Sequence, residues 1–374
     1  MTRSVIRVPN PGAFLRVVLV ISGAIVFAFC LDAFLFRTDL YTRVLEPDSS
    51  TGLFELILRR EQQAQAENSD NLVITLGDSR FAYSPRLANE LSPHTGIVLR
   101  SAGVAGTDPR SWYYMLRDLD PSREHYRAVV LGVNDYDDED EDFEPDDDIR
   151  ALKYVIARLR ITDSFDFAGS FYSPEFKWDA FRGALFKGTV YQTDLLEFLT
   201  HPQNRRERAF LYRQFFAMWT YNYLETERSM KGLAIDWSHM TAAFPPNIDS
   251  DQRDTVQAAL LHGPVPQTGR LAAFRRRWFG RIIEGYRMSH TKIVFIRLPR
   301  GPIPRPDGLV QKKSSSIREF ASRPNVLLCD EHAFDFLERP ELFKDGVHLN
   351  RAGIAVFSER LAATLSTLLT AAKR

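Results

Sequence analysis

The residues Leu72-Val73-Ile74-Thr75-Leu76, followed at once by Gly77-Asp78-Ser79, constrain this chain more than any other stretch. An apolar, β-branched run of this length reads as a buried strand. The glycine lets the backbone turn sharply, so the serine is presented at the strand's C-terminal edge. In open parallel α/β sheets that edge is where ligands bind. Pro85 to Leu91 read as the first turns of a helix. Strand, Gly-Asp-Ser, helix is a seat for a nucleophilic serine, and equally an ordinary turn; the remainder of the chain decides between them.

Gly96 to Arg100 reads as a second strand running into the loop Ser101-Ala102-Gly103-Val104-Ala105-Gly106-Thr107, whose two glycines suit close backbone approach. Asp108-Pro109 opens a helix to Leu119, with a capping side chain and an early proline. Ala128 to Leu131 is the third strand and ends in Gly132-Val133-Asn134-Asp135. The side-chain amide of Asn134 is a neutral donor at a strand edge, as an oxyanion requires; an ordinary Asn/Asp turn is the plain alternative. Lys292 to Pro299 and Val326 to Cys329 read as the fourth and fifth strands. Asn350 caps a final helix, Arg351 to about Ala371. In the loop before it, Asp345 and His348 are three apart. A carboxylate there can hold a histidine Nδ1–H and leave Nε2 free as a base, though a lone Asp-x-x-His is also a common surface turn.

Taken in order, these four pieces resemble the marked Ser, Gly, Asn and His blocks of the SGNH hydrolase superfamily, also called the GDSL esterase/lipase family. Gly77-Asp78-Ser79 matches the serine block, the loop Gly103 to Thr107 the glycine block through Gly106, Gly132-Val133-Asn134-Asp135 the G-x-N-D block, and Asp345-Gly346-Val347-His348 the D-x-x-H block. The resemblance covers 71–135 and 292–374. It implies a flavodoxin-like, three-layer α/β/α sandwich of about five parallel strands. It also implies Ser79 as nucleophile, His348 as general base and Asp345 as its orienting partner. The oxyanion hole would be the backbone N–H groups of Ser79 and Gly106 with the side chain of Asn134, and neither cofactor nor metal is called for. Two positions depart from the family pattern. Arg80 replaces its usual leucine, and reads either as an attractor for an anionic substrate or as a solvated or ion-paired side chain. Ser101 stands where many members have asparagine.

Ahead of this domain, Val17 to Phe36 is apolar apart from Asp32 and about long enough to cross a hydrocarbon core as a helix. Arg3, Arg7 and Arg16 precede it, which favours a cytoplasmic N-terminus and a body on the extracytoplasmic, periplasmic side. A cleaved signal peptide would need small residues where Phe29-Cys30-Leu31 stand. Phe29 also disfavours lipid attachment at Cys30. The reading is therefore an uncleaved signal anchor over 1–37, with a juxtamembrane spacer helix within 38–70. The 374 residues hold 48 Lys+Arg and 48 Asp+Glu, so no basic field favours nucleic acid. The two cysteines, Cys30 and Cys329, provide neither a staple nor a zinc site.

Residues 136–291 form a long insertion between the asparagine block and the fourth strand. It opens with the acidic run Asp137 to Asp148, read as a solvated loop, with divalent-cation binding as the sharper alternative. Asp148 to Leu159, Leu195 to Tyr223 and Ala258 to Tyr286 read as helices, broken at Pro245-Pro246 and Gly263-Pro264-Val265-Pro266. Phe165 to Phe186 is aromatic-rich, suited to sugar stacking, acyl burial or plain core packing. Together these read as a mostly helical lid or side subdomain. His201, His239, His262 and His290 lack metal-ligand spacing.

The expected function is a membrane-anchored serine esterase that cleaves O-acyl, foremost O-acetyl, esters of an envelope or exported glycan or of a lipid. One alternative is an acyltransferase in polysaccharide acetylation, working beside a multispanning acyl-donor membrane protein. Another is a non-catalytic envelope assembly or binding protein.

Overall fold

A computed structural model of the protein describes residues 11–38, 40–41, 50–64, 71–82, 84–138, 149–207, 210–211, 228–261, 269–304 and 314–372. Along the chain, helices α1 (Pro11–Arg37) and α2 (Ser50–Ala64) lead to strand β1 (Leu72–Leu76), α3 (Ser84–Leu91), β2 (Val98–Ser101), α4 (Pro109–Leu119) and β3 (Ala128–Val133). The insertion carries α5 (Ile149–Val155), α6 (Pro174–Leu185), α7 (Gln192–Thr200), α8 (Ser250–Leu260) and α9 (Arg270–Gly285). The chain then closes with β4 (Lys292–Arg297), β5 (Val326–Leu328) and α10 (Arg351–Ala371).

The five strands form one parallel sheet in the order β2-β1-β3-β4-β5. Every residue of β1 and β3 is buried, while the outermost strands β2 and β5 are only partly so. That is the pattern of a parallel sheet with both faces covered. Alternate side chains of the strands supply two cores. Leu72, Ile74, Leu76, Val129, Leu131 and Phe295 meet Trp112 and Leu116 of α4, Phe279 and Ile282 of α9, and Phe54 and Leu58 of α2. Val73, Val130, Val294 and Ile296 meet Ala88 of α3 and Ile354, Phe357, Leu361 and Leu365 of α10. Burying each large side chain of this kind contributes about 1.5–3 kcal/mol. The chain enters at β1, moves out to β2 and returns past β1 to β3, so the order reverses between β1 and β3. A ligand crevice opens at such a reversal, beyond the strands' carboxyl ends.

Several boundaries differ from those expected of the sequence. The stretch read as helical over 258–286 holds the end of α8, which starts earlier at Ser250, and the whole of α9. The insertion also contains a small antiparallel hairpin, Ala234–Asp236 with Thr241–Ala243. The helix within 38–70 is more than a spacer. Phe54, Ile57 and Leu58 of α2 are core residues, Glu55 pairs with Arg158, and Arg60 donates to the carbonyl of Ser101 at 2.6 Å. Within the acidic run, Asp138 is buried. It accepts from the backbone N–H and hydroxyl of Ser316, both at 2.7 Å, and pairs with Arg275 at 3.2 Å. Residues 139–148 of that run, with Arg3, Arg7, His262, 263–266 and 212–223, lie outside the described residues.

Phe81, fully buried, lies across the carboxyl ends of β1 and β3. A β-carbon on Gly77 would stand 2.7 Å from Phe81 Cβ, and one on Gly132 would stand 2.6 Å from its ring. Both positions therefore admit glycine alone without repacking. Gly132→Ala should overpack this joint and cost about 1–3 kcal/mol. Denaturant unfolding should read that as a lower midpoint with an unchanged slope.

Candidate active site

Ser79 sits in a β-turn closed by the N–H of Phe81 donating to the carbonyl of Asp78 at 3.1 Å. The turn comes directly after β1 because Gly77 can pack under Phe81. The Ser79 hydroxyl lies 2.7 Å from Nε2 of His348, a residue 269 positions away in the chain. On the other side of that ring, Nδ1 lies 2.9 Å from Oδ2 and 3.1 Å from Oδ1 of Asp345. A carboxylate accepts and does not donate, so Nδ1 carries the proton and Nε2 presents its lone pair to the serine hydroxyl. Asp345 Oδ1 also accepts the backbone N–H groups of Val347 at 2.9 Å and His348 at 2.7 Å. Burial pushes the Asp345 carboxyl up, but the bond and charge of His348 and the two backbone donors outweigh it, and the group titrates below its ordinary value.

The loop bearing Asp345 and His348 is held from both sides. Asn350 caps α10 by accepting the N–H of Gly353 at 3.0 Å, and Lys344 N–H donates to the carbonyl of His348 at 2.9 Å. From the insertion, Met230 N–H donates to the carbonyl of Phe343 at 2.9 Å, and Gln252 of α8 donates to the carbonyl of Lys344. A β-carbon on Gly346 would stand 2.6 Å from the carbonyl oxygen of Thr255, so α8 packs backbone to backbone on this loop. The part of the insertion over 228–261 is thus a support for the histidine.

Asn134 comes just after β3, the neighbour of β1. Leu76 pairs with Leu131, and Ser79 and Asn134 each stand three residues further on, at the same level of the edge. Arg80 donates to Oδ1 of Asn134 and pairs with Asp78, which also accepts the Arg80 backbone N–H at 2.9 Å. Arginine has donors only, so it takes the oxygen of the Asn134 amide and leaves the NH₂ group to other acceptors. Gly106 lies in the loop after β2 with φ of 70°, a left-handed conformation that favours glycine. That loop is sewn to the end of β1: the N–H of Val104 donates to the carbonyl of Gly77 at 3.1 Å, and the Thr107 hydroxyl lies 3.3 Å from the same carbonyl.

Two arginines that hold this arrangement carry no signal in the sequence. Arg275 of α9 donates to the carbonyls of Asp135 at 2.9 Å and Asp137 at 2.7 Å, pinning the chain just after Asn134. Arg110 of α4 is fully buried, 4.0 Å above the ring of Phe171 and bonded to Ser170 at 3.1 Å, which fastens the insertion's aromatic segment to the domain. Phe167 and Phe171 of that segment are core, whereas Phe165 and Trp178 are exposed. Among the described residues no group of three or more His, Cys, Asp or Glu is placed to hold a metal ion.

The arrangement can do acyl-transfer chemistry: a hydroxyl on the lone pair of an imidazole, a half-buried carboxylate behind the imidazole, and neutral donors on the adjacent strand and loop. No protein-family model matches the chain, and no curated protein matches it at a significant level.

Proposed function

We propose that this chain is a serine esterase of the SGNH hydrolase type, anchored in a membrane by α1 and acting on O-acyl esters of an envelope or exported glycan or of a lipid. The observation that carries the reading is the Ser79–His348–Asp345 relay at the carboxyl edge of the sheet, beside the reversal of strand order. In this mechanism His348 Nε2 removes the Ser79 proton as Oγ attacks the ester carbonyl. The developing oxyanion is met by the N–H groups of Ser79 and Gly106 and the amide of Asn134. His348 then protonates the leaving alcohol, and water, deprotonated by the same nitrogen, releases the acid from Ser79. Interception of the acyl-enzyme by a sugar hydroxyl in place of water would make the enzyme a transferase.

The helix α1 is long and apolar enough to cross a membrane. Arg3, Arg7 and Arg16 ahead of it favour a body on the extracytoplasmic side. The last helix, α10, passes the same test of length and composition, but it is packed into the domain core.

The test is turnover of p-nitrophenyl acetate by the full-length protein in detergent, with and without an acetylatable oligosaccharide. Release of nitrophenol with no acylated sugar supports the esterase, and release accelerated by the sugar, with acylated sugar formed, supports transfer. The same assay separates the two readings of Arg80. If it orients Asn134, Arg80→Met should lower kcat about tenfold, an oxyanion donor being worth more than that, with KM nearly unchanged for a neutral ester. If it attracts substrate, KM for an anionic ester should rise and kcat for a neutral one stay level.

A further inference from the structure

The body closes on α1 too early for α1 to cross a bilayer clear of it. Residues 12–28 of the helix are exposed, and Phe29 is the first half-buried one. Counted from Val17, the first residue after Arg16, the exposed stretch is 12 residues, or about 18 Å at 1.5 Å per residue. Counted from Gly12, with Arg16 extending its charge back toward the surface, it is 17 residues, or about 25 Å. A hydrocarbon core is about 30 Å thick. In either register the apolar layer runs about 5–12 Å past the point where the body meets the helix, and tilting the helix lengthens the overlap.

The residues at that depth belong to one corner of the insertion, the end of α6 and the start of α7. Phe186 packs edge-on against Phe29, with ring centroids 5.8 Å apart. The backbone N–H groups of Lys187 and Gly188 donate to the carboxylate of Asp32 at 3.1 and 2.7 Å, so the one charge in the apolar run is bonded by the body. Arg37 donates to the carbonyls of Ala184 and Leu185 at 2.9 and 3.2 Å, and Phe36 stacks on Tyr191 at 5.5 Å. On α7, Leu195 turns inward beside Gly188, while Leu196 and Leu199, three apart on the outer face, are 61% and 74% exposed.

We infer that the corner 184–200 is seated in the surface of the membrane that α1 crosses, with Leu196 and Leu199 reaching the boundary between headgroups and acyl chains. The partner is the lipid surface itself, because the contacts at Phe29, Asp32 and Arg37 fix this corner to the stretch of α1 that the hydrocarbon must cover. Asp32 then acts as a clamp, and the body is docked on the bilayer rather than swinging from a tether. The inference rests on α1 crossing a bilayer and is independent of the chemistry proposed at Ser79.

The test uses the full-length chain with Cys30→Ser and Cys329→Ser, carrying single cysteines from Ile25→Cys, Leu196→Cys or Leu199→Cys. Each is spin-labelled and reconstituted in vesicles of phosphatidylethanolamine and phosphatidylglycerol. Leu196 and Leu199 are exposed, so a label there leaves the core intact. Collision rates with oxygen and with a water-soluble nickel chelate report depth. The expected result is high oxygen and low nickel collision at position 25, and labels at 196 and 199 about 5–10 Å into the headgroup boundary. Nickel collisions at 196 and 199 matching those of a free aqueous nitroxide, with position 25 in lipid, would overturn the seat while leaving the anchor. Low collision with both reagents at 196 and 199 would mean that protein covers them and would equally overturn it. An aqueous signal at position 25 would remove its premise.

Discussion

Replacing Ser79 by alanine is expected to lower turnover of p-nitrophenyl acetate by about 10⁴–10⁶-fold. The change deletes the attacking oxygen and the proton that His348 would take, and leaves the imidazole, its carboxylate and the amide of Asn134 in place. What activity is left should come from the oxyanion donors acting on attack by water. The hydroxyl is half-buried in a turn closed by backbone atoms, so folding stability should change by no more than about 1 kcal/mol, as for substitutions away from the core. A fluorophosphonate that labels serine nucleophiles should mark the wild-type protein and not the variant. If the wild-type protein neither turns over the ester nor takes the label, the proposal of an esterase fails. The fold is then better read as a binding or assembly module of the envelope.

Asp345→Asn should be less damaging than loss of Ser79 but still cost on the order of 10⁴-fold in kcat. The carboxamide keeps the shape, and its oxygen can still accept the backbone N–H groups of Val347 and His348. Its NH₂ group, however, would face Nδ1 of His348, where a donor is already bonded at 2.9 Å. Two donors cannot share that contact, so the ring must either turn away or move its proton to Nε2, where it can no longer accept from Ser79. Rescue by Asp345→Glu should be partial, because the longer stem cannot keep both backbone bonds. The carboxyl also gives the variant a signature in stability. Its folded value lies below its unfolded one, which is about 3.9. Ionised Asp345 therefore stabilises the fold fully above that unfolded value, and the contribution is lost as the pH falls through the folded value. The stability of Asp345→Asn should accordingly decline less than that of the parent over the same acid range, measured by denaturant titration at a series of pH values.

Much of the frame is legible in local chemistry. The five apolar runs become the five strands because short β-branched runs bounded by glycine, proline and asparagine have few other options. Asp108-Pro109 and Asn350 start α4 and α10 because a capping side chain acts within its own turn. The residues Ser79, Asn134, Asp345 and His348 stand out because each comes just after a strand or just before a helix, and the order of such pieces is a property of the chain itself.

Other features depend on partners far away in the chain. The sequence marks Asp32 as a lone charge in an apolar run, but only the tertiary structure supplies Lys187 and Gly188, 155 and 156 residues on, as its donors. Arg275, Arg276 and Arg277 are alike in sequence. Arg275 is buried on the carbonyls behind Asn134, while Arg276 and Arg277 reach Glu319 and Asp166 nearer the solvent. Which of three adjacent arginines turns inward is set by the angle at which α9 meets the sheet, and local propensity carries no information about that angle. The relay itself belongs to both levels. Sequence chemistry names a serine, a histidine and an aspartate able to work together. A separation of 2.7 Å across 269 residues exists only because a parallel sheet brings the ends of β1 and the loop before α10 to one edge, and because α8 packs against Gly346 to hold that loop there.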